Sequence, residues 1–109
     1  MLGATLALLL LSNPVIVNCT LSMNPIVLVQ PTYPPLAKRA RVSGYVTVKI
    51  VVNQRGRVTK ATVLSGHPLL NVAALKAARS SRFEPLRVGR KVVKAEGIIS
   101  YRFRLPEGG

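Results

Sequence analysis

Side chains that could carry acid–base, nucleophilic or metal chemistry are scarce in this sequence. It holds one histidine, one cysteine, no aspartate and three glutamates, which are Glu84, Glu96 and Glu107. Carboxylate-pair catalysis needs two acids held close together, and a catalytic triad needs a third group to orient its imidazole. A zinc site normally takes three or four such ligands. From the composition we therefore expect that the protein is not an enzyme and that it holds neither a metal ion nor a cofactor.

Charged residues are mostly basic and are unevenly distributed along the chain. Sixteen Lys and Arg residues give a formal net charge of +13, and no charged residue occurs before Lys38. We expect residues 1–30 to form an apolar signal- or anchor-like segment with a short linker, residues 31–105 a domain, and residues 106–109 a tail. Three interpretations of this first segment remain open: a secretory signal, a poor membrane anchor reaching about Val29, and a misassigned start of a truncated chain. Cys19 is expected to be a lone thiol, and the basic domain to meet anionic partners.

The first part of the domain predicts a short helix followed by a hairpin. Residues before a proline favour extended backbone, so the run from Pro31 cannot become helical before Pro35. A helix then continues to Arg41, with Leu36, Ala37 and Ala40 expected on one side. Residues 45–53 alternate between apolar and polar side chains, and a turn at 53–56 leads to a second strand over 57–64.

The second part predicts one longer helix and a last strand. His67 is expected to be a turn or cap residue, and residues 69–82 place apolar side chains at helical spacing. Residues 92–105 alternate throughout, which predicts a strand with Tyr101 and Phe103 on its buried face. The predicted fold class is α+β, in the order helix-strand-strand-helix-strand, with a three-stranded antiparallel sheet and two helices packed on one face.

Residues 31–105 contain an ordered set of motifs, which are Tyr33-Pro34-Pro35-Leu36-Ala37, Gly44-Tyr45-Val46, Gly56-Arg57-Val58, Ser65-Gly66-His67-Pro68-Leu69-Leu70 and Arg82-Phe83-Glu84-Pro85. Together these motifs resemble the C-terminal domain of TonB-type energy transducers. The resemblance implies a periplasmic domain, with the N-terminal segment as its inner-membrane anchor, that binds TonB-dependent outer-membrane receptors during energy-dependent import of iron chelates or similar cargo. It also implies inner-membrane proton-channel proteins as further partners, and leaves peptidoglycan contact and a homodimer open.

In this family the receptor offers a short extended peptide, the TonB box, which the domain captures as an added strand. The resemblance puts the receiving edge on the last strand. It implies a partner-binding set made of Gln30, Tyr33, Pro34, Lys94, Glu96, Ile98, Ser100, Arg102 and Arg104. Gln30 is more often a solvated linker residue than a receptor contact, whereas Tyr33 could equally pack on the sheet or contact the partner. Thr32 stands where some members carry a second Gln.

Two other functions compete with receptor binding. A basic cell-envelope domain that holds peptidoglycan or lipopolysaccharide without transducing energy is the serious alternative, because the long Pro-rich linker of classical transducers is missing. Nucleic-acid binding is disfavoured, because it needs aromatic rings on the open sheet face and only Tyr45 is expected there. Arg82 and Glu84 are expected to pair, if at all, as an exposed ion pair of little energetic value.

Overall fold

Three long strands form the centre of the fold, as the alternating sequence predicts. The computed structural model describes the backbone of Val15–Thr20 and all of residues 24–105. Within it, β3 (Gly44–Val52) pairs antiparallel with both β4 (Val58–Ser65) and β8 (Ala95–Phe103). Every second residue of β3 from Val46 to Val52 is buried, because one face of the sheet packs on the helices.

The longer helix, α2 (Pro68–Ser80), begins at a histidine cap. His67 has an extended backbone, and its Nδ1 accepts a hydrogen bond from the Leu69 amide at 3.1 Å. Pro68 takes the first helical position, where a missing N–H costs nothing. The predicted cap is thus confirmed. The buried face of the helix consists of Leu70, Ala74, Ala77 and Ala78.

The shorter helix, α1 (Pro35–Arg39), buries less than the sequence pattern predicts. Only Ala37 is buried, while Leu36 keeps 61% of its surface exposed and Ala40 lies beyond the helix. The prediction of an apolar side formed by these three residues was wrong. A helix of five residues makes little more than one turn, so one position alone can face the core.

Two small sheets lie outside the three long strands, and the sequence pattern did not predict them. β2 (Pro25–Val27) pairs with β5 (Arg82–Phe83), and β6 (Leu86–Val88) pairs with β7 (Lys91–Val93). The predicted last strand over 92–105 is therefore interrupted at Lys94. The residues before Lys94 belong to β7, which forms a hairpin with β6. Strands of two or three residues are too short to show a period in the sequence.

A further strand extends the main sheet. β1 (Val15–Thr20) pairs antiparallel with β8, which makes the strand order β1-β8-β3-β4. The segment interpreted as signal- or anchor-like thus contributes one strand to the domain, and residues 1–14 lie outside the described part of the chain. Among the residues that the structure describes, no helix combines the length and apolar character needed to cross a membrane.

Candidate functional site

The outer edge of β8, on the side away from β3, is the predicted partner site. The structure places β1 on that edge over six residue pairs, from Val15 opposite Phe103 to Thr20 opposite Ile98. On its other side, β8 pairs with β3 along its whole length, from Ala95 to Phe103. Residues 98–103 of the predicted receiving strand therefore have no unpaired edge, because β1 already supplies their second neighbour.

The open face of the sheet, opposite the helices, carries four of the predicted partner residues. Glu96, Ile98, Ser100 and Arg102 alternate with the buried residues of β8 and are at least partly exposed. The Arg102 guanidinium lies 5.5 Å from the centre of the Tyr45 ring, and the Lys49 ammonium lies 3.0 Å from a Glu96 carboxylate oxygen. The cation over the ring and the cross-strand ion pair connect Arg102 and Glu96 to side chains of β3.

The segment before α1 is fastened to the domain by backbone and ring contacts. The Val29 amide donates to the Ser81 hydroxyl at 3.1 Å, and that hydroxyl donates to the Ala77 carbonyl at 2.9 Å. The Tyr33 hydroxyl donates to the Val42 carbonyl at 2.5 Å. These contacts give residues 29–33 a defined path across the C-terminal part of α2.

Tyr33 is chiefly a packing residue in this structure. It is 5% exposed, and its ring meets Phe103 of β8 edge-to-face with 5.4 Å between centroids. The Lys38 ammonium lies 5.7 Å above the same ring. Burial raises the pKa of the Tyr33 phenol, because the charged form would lose its hydration. Contact of Tyr33 with a partner stays a prediction, and the buried ring leaves little surface for it.

The remaining predicted partner residues fall around the edges of this region. Gln30 is exposed and lines a shallow groove with Thr32 and Lys76, while Pro34 is half-buried at the start of α1. Lys94 and Arg104 are exposed but lie just outside β8 at its two ends. The structure thus brings the residues of β8 together on one face and leaves Gln30 and Pro34 on a separate surface.

The acidic and metal-ligating side chains of the described residues do not gather at one place. No group of three or more His, Cys, Asp or Glu side chains comes together within them. Of the two described acids, Glu96 pairs with Lys49, and Glu84 accepts a bond from the Asn24 side chain at 3.4 Å rather than pairing with Arg82. The candidate site thus consists of the outer edge of β8, which pairs with β1, and the exposed cations near it.

Comparison with known proteins decides the family. The profile described as Gram-negative bacterial TonB protein C-terminal matches residues 29–105. The chain belongs to the TonB C-terminal domain family. The solution NMR structure of the Pseudomonas aeruginosa TonB C-terminal domain superposes with a TM-score of 0.64 and 27% identity, covering 80% of this chain and 90% of that chain. No curated protein matches the chain at a significant level.

Membership of the TonB C-terminal domain family confirms the predicted family and fold class. The family is associated with transport rather than catalysis, and its domains interact with outer-membrane receptors in general. β1, which begins at Val15, lies before the matched range. Sequence reasoning missed this strand, although Val15-Ile16-Val17 and Thr20 are residue types that favour strands and could have indicated it.

Proposed function

We propose that this chain is a periplasmic TonB-type module that binds the TonB box of outer-membrane receptors by adding it as a strand to β8. In this role it supports the energy-dependent import of iron chelates or similar cargo. The added strand runs antiparallel to β8 along its outer edge, and inner-membrane proton-channel proteins supply the energy.

The observation that supports this function most directly is β1 itself. Six of its residues pair in register with β8, so this edge forms a regular antiparallel ladder with a strand that comes from outside the family-matched range. Strand addition draws its affinity from main-chain hydrogen bonds, which any extended peptide can offer. The edge that accepts β1 is thus chemically suited to a receptor peptide.

The charge around the edge favours a partner peptide that carries acidic residues. Arg102 lies on β8 within the stretch that pairs with β1, and Arg104 is the first residue after β8. Opposite charges on neighbouring strands stabilise the pairing by about 0.2–1 kcal/mol. The chain as a whole has a net charge of +13, which attracts anionic segments before contact.

A titration with chemically altered peptides tests strand addition. A receptor TonB-box peptide is added to the isotope-labelled full chain, and two N-methylated versions serve as a matched pair. Alternate amides of an edge strand point towards and away from the sheet, so N-methylation of one alternate set should abolish binding and of the other set should leave it. Equal effects of the two sets, or shifts that spare Ala95–Phe103, would contradict the proposal.

A basic envelope-binding role is the second candidate, and the charge of the chain favours it. Arg55, Lys60 and Arg90 are exposed, and such cations attract anionic polymers. Pull-down of the full chain on isolated peptidoglycan and on lipopolysaccharide, in parallel with the receptor peptide, separates the two. Retention on the polymers without peptide affinity would favour this role.

A further inference from the structure

The part of β8 that the proposed function needs is covered by a segment of the same chain. β1 pairs with residues 98–103 of β8, and the register runs from Val15 opposite Phe103 to Thr20 opposite Ile98 without a shift. β3 occupies the other side of the same residues. Because a strand has only two edges, a receptor peptide cannot pair with this stretch of β8 while β1 remains in place.

We propose that β1 is a resident competitor for the receptor peptide, so that the domain is autoinhibited until a partner strand replaces it. This inference rests on the proposed function, because it concerns the regulation of the same edge. β1 is the terminal strand of the described sheet and pairs with β8 alone. Its release therefore breaks one ladder and leaves the β8-β3 and β3-β4 ladders intact.

The register provides a place where an incoming strand can begin. Residues 95–97 of β8 pair with β3, from Ala95 opposite Val52 to Gly97 opposite Ile50, but lie beyond the six pairs made with β1. Among the described residues only β3 pairs with this end, so an antiparallel peptide can form its first hydrogen bonds there, with its own C-terminal residues. It then extends towards Phe103 as β1 leaves, so the edge is never exposed along its full length.

The short linker between β1 and β2 determines how far β1 lowers the affinity for a receptor peptide. Residues 21–24 separate β1 from β2 in the sequence, and β2 pairs with β5. A strand held close to its site by a short linker competes at an effective concentration in the millimolar range. If β1 is docked about nine-tenths of the time, the apparent affinity for a free peptide falls about tenfold, because only the undocked fraction binds.

A double proline variant tests the competition in the full chain. In any two consecutive residues of an edge strand, one amide points at the neighbouring strand, so Val17→Pro with Asn18→Pro removes a ladder bond whichever amide it is. The matched control is Val17→Ile with Asn18→Thr, which keeps residue types that favour strands. We expect the proline variant to bind the receptor peptide about tenfold more tightly than wild type, and the control to bind like wild type.

The outcomes separate this inference from the proposed function. If all three chains bind the receptor peptide with equal affinity, autoinhibition is overturned but peptide binding is not. If no chain binds the peptide, both the proposed function and this inference are overturned. Amide exchange should show β3 and β4 of the proline variant still protected. If that variant does not fold, the wild-type complex decides: cross-strand contacts between Val17 and Tyr101 must vanish on peptide binding, and their persistence overturns the inference.

Discussion

Tyr33 connects the segment before α1 to the strand that forms the candidate site. Its ring packs edge-to-face on Phe103, and its hydroxyl donates to the Val42 carbonyl after α1. One side chain thus fixes the path of the preceding segment relative to β8. The residue that sequence reasoning placed in the partner site acts in the structure mainly by holding that site in shape.

Replacing Tyr33 with Phe separates its hydrogen bond from its packing. We expect Tyr33→Phe to lower the free energy of unfolding by about 1 kcal/mol, since the ring contact with Phe103 is kept and the bond to Val42 is lost. Urea unfolding of the two chains measures this. Tyr33→Ala also removes the ring, and about 3–5 kcal/mol is typical for losing a buried ring. An equally large loss for Tyr33→Phe would show that the hydroxyl alone provides the stabilisation by this side chain.

The same pair of chains has an expected pH dependence. Burial raises the pKa of Tyr33 above its ordinary value of 10.0, so the unfolded chain loses this proton first as the pH rises. Its stabilising contribution is complete below the ordinary pKa and is lost as the pH rises through the folded one. The advantage of wild type over Tyr33→Phe should therefore shrink above about pH 10 in urea unfolding. An advantage that grows with pH would contradict the assigned direction.

Two glycines with positive φ provide a matched pair for backbone strain. A Cβ at Gly56 (φ 80°) would lie 1.8 Å from the Phe83 carbonyl oxygen, whereas a Cβ at Gly89 (φ 64°) meets nothing within 4 Å. We expect Gly89→Ala to cost about 1–2 kcal/mol for the left-handed backbone alone, and Gly56→Ala at least twice as much. Thermal unfolding of both variants tests this, and equal losses would contradict the close approach of the turn to β5.

At the scale of the elements, α2 stabilises the sheet through one face only. Leu70 is fully buried and Val72, on the same helix, is 75% exposed. We expect Leu70→Ala to lower the free energy of unfolding by about 2–5 kcal/mol and Val72→Ala to change it by less than about 0.5 kcal/mol. Denaturant unfolding of the two variants measures the contrast. Similar losses would show that the helix packs on a different face.

The elements that could be predicted from sequence are those long enough to show a period. β3, β4, α2 and β8 each have eight or more residues. The buried faces of β3, α2 and β8 follow the alternation or the helical spacing of their apolar residues, whereas β4 has no fully buried residue and is marked by its β-branched residues. The hairpin β6–β7 and the pair β2–β5 are too short for such a signal. β1 was missed for a different reason, because its apolar residues equally fit a signal-like or anchor-like segment and only tertiary pairing decides between them.

For β8, the sequence predicts which residues lie on the exposed face but not which segment lies along the outer edge of the strand. The exposed positions Glu96, Ile98, Ser100 and Arg102 follow from the alternation of β8. That Lys94 and Arg104 fall just outside the strand, and that β1 lies on its edge, depends on pairing between distant segments. Such pairing leaves no local pattern in the sequence.

At the scale of the whole molecule, the charge predicts how binding responds to salt. With a net charge of +13, the chain attracts acidic peptides over distances that salt screens. Raising the ionic strength from about 0.05 to 0.5 M should weaken binding of an acidic receptor peptide several-fold, and weaken its Glu→Gln counterpart much less. Titrations of both peptides at the two salt concentrations measure this. Equal salt dependence would show that charge does not contribute to recognition.

In the proposed complex, a receptor peptide occupies the outer edge of β8. The most direct test is isotope-edited NMR of the full chain bound to a TonB-box peptide, in which cross-strand Hα–Hα contacts identify the paired residues. We expect contacts from the peptide to Ala95–Phe103 in antiparallel register, with the pairs between β1 and β8 lost. Contacts to the outer edge of β4, which is the other end strand of the described sheet, with β1 still paired to β8, would contradict the proposed binding.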